Sequence, residues 1–85
     1  MFQFQPRWKE ELVVTGPGGM LVLEHPMGVP TVYLPTEREW QRRAPAWAGS
    51  MYPALKDELE AWCSHHGMRL VVEKSADVYG IIRPS

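Results

Sequence analysis

The chain has a single cysteine, Cys63, among its 85 residues. That excludes an internal disulfide and any metal cage built from several thiolates, and it fits a reducing compartment. A dominant charge is lacking too: nine Lys and Arg stand against ten Asp and Glu, for a net charge of -1. No global field therefore draws the chain to nucleic acid, and any such binding has to come from a local patch. No stretch approaches the roughly 20 apolar residues that a membrane-spanning helix needs. The opening MFQFQPRWKEE has no apolar run of the kind a signal peptide carries. Repeats, low-complexity tracts and linkers are missing as well. The expectation is a soluble, cytoplasmic, single-domain protein over residues 1–85.

What is present is apolar and aromatic. Hydrophobic residues make up 45% of the chain and aromatic residues 11%, with Trp occurring 4 times, which is too apolar for disorder. A chain of this size buries only roughly 60 to 65% of the surface its unfolded form exposes. Association with a second copy is one way to bury more, so a homodimer is an expected form.

Segment by segment, RWKEELVVT (Arg7 to Thr15) ends in β-branched residues and runs into GPGG, Gly16 to Gly19, a hairpin turn signal. Met20 to His25 reads as the return strand. Pro26, Gly28 and Pro30 then break the chain, and Thr31 to Leu34 is a third strand. Thr36 and Glu39 have capping-box spacing, so a short helix is predicted from Glu37 to Arg43. Pro45 stops it, and APAWAGS restarts as one helical turn.

The clearest element is YPALKDELEAWCSHHG, Tyr52 to Gly67. Pro53 stands near its start, Gly67 at its end, and Leu55, Leu59, Trp62, Cys63 and His66 form an apolar stripe. MRLVVEK and VYGIIR read as two closing strands around a turn at SAD. The predicted class is α+β: an antiparallel sheet of about five strands packed against one long amphipathic helix and one short kinked helix, in the order β-β-β-α-α-β-β.

The segment PTEREWQRRAPAWAG, Pro35 to Gly49, concentrates the residue types that dominate binding surfaces. Its tryptophans either cap the edge of the core or, with Tyr52, line a groove that has Arg42 or Arg43 at its mouth. The candidate binding residues are Trp40, Trp47, Tyr52, Arg42, Arg43 and, on the proline-bounded loop EHPMGVP together with Met27, His25. Stacking on nucleic acid is disfavoured, because Glu37 and Glu39 offset Arg38, Arg42 and Arg43 to leave +1 in that segment.

Chemistry-bearing strings are weak. Cys63 and His66 share a helical face, but two ligands do not make a zinc site, and a third would have to come from His25 or a carboxylate. Pairing Cys63 with His25, or Ser50 with His65, lacks any local nucleophile signature. Glu24 and His25 are neighbours on a strand and so point to opposite faces. TGPGGM fits no phosphate-binding loop. No metal, cofactor or catalytic residue is assigned. The leading functional expectation is a non-catalytic protein–protein interaction module. The alternatives are a small-molecule-binding domain with an aromatic-lined pocket and, more remotely, an enzyme.

Overall fold

A strand that alternates Gln with Phe, β1 (Gln3–Arg7), begins the fold in the computed structural model, which describes residues 1–7, 10–26 and 28–80. It pairs antiparallel with β2 (Glu11–Gly16), which pairs in turn with β3 (Gly19–Glu24) across a two-residue turn at Pro17 and Gly18. The predicted hairpin is therefore present, with Gly16 opposite Gly19. The separate strand β1 was not predicted. Its Pro6 lacks a ladder donor, which an edge strand tolerates. Trp8, Lys9, Met27 and the predicted continuation of the last strand, Ile81 to Arg83, lie outside the described residues.

β4 (Thr31–Leu34) follows, then α1 (Glu37–Arg43), both with the bounds the sequence predicts. Thr36 caps α1, its Oγ1 accepting from the Glu39 N–H at 3.3 Å. The carboxylate of Glu39 turns instead to Arg42 and Arg43, each at 3.5 Å. After Pro45 the chain restarts as a 3-10 helix, Ala46–Met51, and continues as α2 (Tyr52–His65). Gly67, at φ 67, supplies the left-handed residue that ends it. The Phe2 N–H donates to Glu58 Oε1 at 2.9 Å, tying the start of the chain to α2. That donor is the main cause holding the Glu58 carboxyl below its usual range.

β5 (Arg69–Val72) and β6 (Val78–Gly80) bring the sheet to six strands among the described residues. The sheet runs β1-β2-β3-β4-β5, with β6 beside β3. The α+β class holds, but the sheet is mixed and not purely antiparallel, because β4 and β5 are parallel. The physical reason lies in the connection. A strand that returns in the same direction needs a crossover of a dozen or more residues, and the helical segment between β4 and β5 provides it. β6 then pairs Leu21–Leu23 with Val78–Gly80, while β4 meets β3 only at Glu24 and Tyr33.

One sheet face carries Leu12, Val14, Leu21, Leu23, Val32, Leu34 and Val78. These pack with Trp40, Tyr52, Leu55, Leu59 and Cys63 of the helical layer. Burial pushes the Cys63 thiol up, away from its reactive thiolate form. On the other face the strand registers place Glu11 and Glu24 in one row, and Val13, Val22 and Tyr79 in the next.

Candidate functional site

The six candidate residues do not converge. Trp40 is fully buried, and its indole N–H donates to the Ala48 carbonyl at 2.8 Å. Tyr52 packs edge-on against it with ring centroids 5.5 Å apart, and its hydroxyl donates to the Pro35 carbonyl at 2.7 Å. Burial, and secondarily the charge of Glu37, raise the Tyr52 pKa above the usual tyrosine value. These two rings are core, and they brace α1 against the 3-10 helix. Pro45 redirects Trp47, whose half-buried indole lies over the glycine turn between β2 and β3.

Arg43 is likewise committed. Its Nη2 donates to the carbonyls of Lys74 (3.1 Å) and Ala76 (2.7 Å), and its Nη1 stands 3.9 Å from Asp77 Oδ1. It clasps the loop between β5 and β6 to α1 and is not at the mouth of a groove. Arg42 remains exposed beside Glu39. His25 sits half-buried at the start of its loop with Nδ1 2.9 Å from the Thr31 carbonyl. Because a carbonyl only accepts, that contact places the ring proton on Nδ1.

A different cluster forms on the sheet face away from the helices. An open pocket of about 210 Å³ is lined by Glu10, Glu11, Glu24, Asp77 and Tyr79 around Val22 and Pro26. The hairpin register places Glu11 directly opposite Glu24, and like charges across a strand pair are destabilising. Two donors from the end of the chain relieve them. The Tyr79 hydroxyl donates to Glu11 Oε2 at 2.5 Å, and the Asp77 N–H donates to Glu24 Oε1 at 2.7 Å.

Glu10, on the pocket rim, adopts φ 63, a left-handed conformation that a non-glycine residue rarely takes. Its carbonyl accepts from the His25 N–H at 3.1 Å, which holds the turn in place. Among the described residues no group of His, Cys, Asp and Glu is arranged to hold a metal ion. The pocket is thus an anionic surface with an aromatic wall, suited to a cationic side chain.

The hydrogen bond to Glu11, then desolvation and the charges of Glu11 and Asp77, raise the Tyr79 pKa, while Arg7 opposes them. A raised folded-state pKa contributes stability that is intact below the ordinary tyrosine value of about 10 and is lost as pH climbs through the folded value. In Glu11→Gln, phenolate absorbance titration is expected to show the Tyr79 transition at lower pH than in the wild type. An unchanged titration would separate the tyrosine from the carboxylate.

Sequence reasoning missed Glu10, Glu11, Glu24, Asp77 and Tyr79 as a group. One signal was available: counting outward from the GPGG turn sets Glu11 against Glu24. No protein-family model matches the chain, and neither the curated proteins nor the solved structures contain a match.

Proposed function

We propose that the chain is a non-catalytic binding module that holds a lysine or arginine side chain of a partner protein in the acidic pocket. The observation that supports this most is the Glu11–Glu24 juxtaposition, a like-charge pair at the open end of the β2–β3 hairpin that borders the pocket. Carboxylates at the rim attract the cationic head. The ring of Tyr79, 47% exposed, offers its face to that head or to the alkyl stem behind it.

The binding surface moves from the Trp40–Tyr52 segment to the opposite face of the sheet, because Trp40 and Tyr52 are engaged in the core. The same burial weakens the aromatic-pocket reading of a small-molecule site. The arginine segment offers little to nucleic acid, since Arg43 is spent on backbone carbonyls and Asp77. Burial raises the Cys63 thiol pKa and so disfavours the nucleophilic thiolate, and a lone buried thiol is compatible with a reducing, cytoplasmic setting. Among the described residues no helix is long and apolar enough to cross a membrane.

Native mass spectrometry on protein gently purified from its own host tests the reading. A stoichiometric protein partner is expected in the wild type. It should be lost in Glu11→Gln/Glu24→Gln, which removes the like-charge pair while keeping the side-chain shapes. A partner retained by that variant would place the contact elsewhere.

A further inference from the structure

The two edges of the sheet differ. The β1 edge carries Pro6, a residue that discourages strand addition, whereas β5 reads RLVV with no such device. The Arg69 N–H donates to the Pro30 carbonyl and the Glu73 N–H to the Leu34 carbonyl, both at 2.8 Å. Backbone groups alternate sides along a strand, so the odd-numbered residues face β4. Leu70 and Val72 direct their N–H and C=O groups to the open edge. Among the described residues β5 pairs with no strand other than β4, and Val72 is 42% exposed.

We propose that this edge pairs with the β5 of a second copy, antiparallel and centred on Val71, to give a two-fold symmetric dimer with one continuous sheet. The register follows from two constraints. The outward-facing groups of Leu70 and Val72 must meet outward-facing groups of the partner copy, which permits only registers centred on residue 70, 71 or 72. Of these, centring on Val71 alone sets each Arg69 opposite a Glu73. Both side chains are exposed, and neither forms an ion pair within the described residues. The same register sets Leu70 against Val72 on the helix-covered face, covering the exposed valine, and Val71 against its own copy on the other face.

The strand is therefore self-complementary in hydrogen bonding, in charge and in apolar contact. Isologous closure also ends the assembly at two copies and removes an open edge that would otherwise recruit further strands. Neither Arg69 nor Glu73 lines the acidic pocket, so this dimer and the partner reading stand or fall separately.

Sedimentation velocity over a dilution series is expected to show wild-type monomer converting to dimer. Arg69→Glu alone, or Glu73→Arg alone, places like charges opposite each other at both ends of the pairing and should weaken association roughly tenfold or more. The double swap, Arg69→Glu with Glu73→Arg, should restore it.

Val71→Cys provides a test that does not depend on the charges. Two copies of residue 71 would form a non-hydrogen-bonded pair with Cα atoms about 4.5 Å apart, inside the disulfide range. Mild oxidation should link that variant into dimers and leave Val72→Cys unlinked. Wild-type protein that stays monomeric at every concentration would overturn the proposal. So would a dimer indifferent to the charge swaps, or Val72→Cys linking as readily as Val71→Cys.

Discussion

Replacing Trp40 with alanine is expected to cost roughly 3 to 5 kcal/mol, the range for emptying a buried aromatic site. The indole is fully buried, and its loss also strips the Ala48 carbonyl of its donor. Against a total stability of about 5 to 15 kcal/mol for a domain, that is a large share, and at the lower end of the range it leaves the variant at or near unfolding. Urea denaturation followed by circular dichroism measures it. Trp40→Phe separates the two contributions. It keeps most of the ring volume but leaves the carbonyl unpaired, at a cost of about 1 to 3 kcal/mol from the lost partner. If Trp40→Ala shifted the urea midpoint only slightly, Trp40 would have to be a surface residue, which its complete burial contradicts.

The second large effect concerns the turn beneath Trp47. A methyl group at Gly18 would stand 2.5 Å from Trp47 Cβ and 2.8 Å from its Cγ. The Cβ atom is bonded to the backbone and cannot swing aside, so Gly18→Ala forces the turn and the 3-10 helix apart. The expected loss is about 1 to 3 kcal/mol, as for other overpacked sites. At Gly16 a methyl meets the far edge of the indole, at 2.6 Å from Cζ3, and the ring of Phe2 at 2.9 Å. Rings can rotate where a backbone-attached atom cannot, so Gly16→Ala should cost less than Gly18→Ala. Thermal melts of the two variants, compared side by side, give the order. The reverse order would mean that the 3-10 helix yields more readily than the indole.

The elements most legible in the sequence are those bounded by punctuation. Thr36, Pro45, Pro53 and Gly67 mark the helical starts and stops, and α1 and β4 have their predicted bounds. The GPGG segment reads correctly as a hairpin turn. Its glycines have a second role, however, which only the tertiary position of Trp47 reveals. β1 escaped because Gln and Pro dilute its signal. The parallel pairing of β4 with β5 escaped because no local pattern encodes the direction in which a strand returns.

The candidate site fared differently, for a physical reason. Tryptophan, tyrosine and arginine are favoured at interfaces, yet the same properties make them useful inside a small domain. Trp40 and Tyr52 each bury a ring and satisfy their polar atom on a nearby carbonyl, and Arg43 staples a loop. The pair Glu11 and Glu24 was legible from the turn register alone. Asp77 and Tyr79 were not, because β6 reaches β3 from the far end of the chain.

That reach divides the folding of the sheet into two clocks. β3 meets β2 across two residues, a closure that hairpins complete in about 1 to 10 μs. Its other edge waits for Val78, which pairs with Leu23 from 55 positions away. Loop-closure entropy rises only slowly with length, about 0.6 kcal/mol for each doubling. Distance alone therefore adds little to the second closure, and β6 also follows the β4–β5 crossover in the chain and adjoins the loop that Arg43 holds to α1. Until β6 docks, the apolar run Leu21–Leu23 lies open along one side. A chain in which β6 has not docked presents that stretch of β3 as an unpaired edge, the kind of edge that exchanges strands with its neighbours.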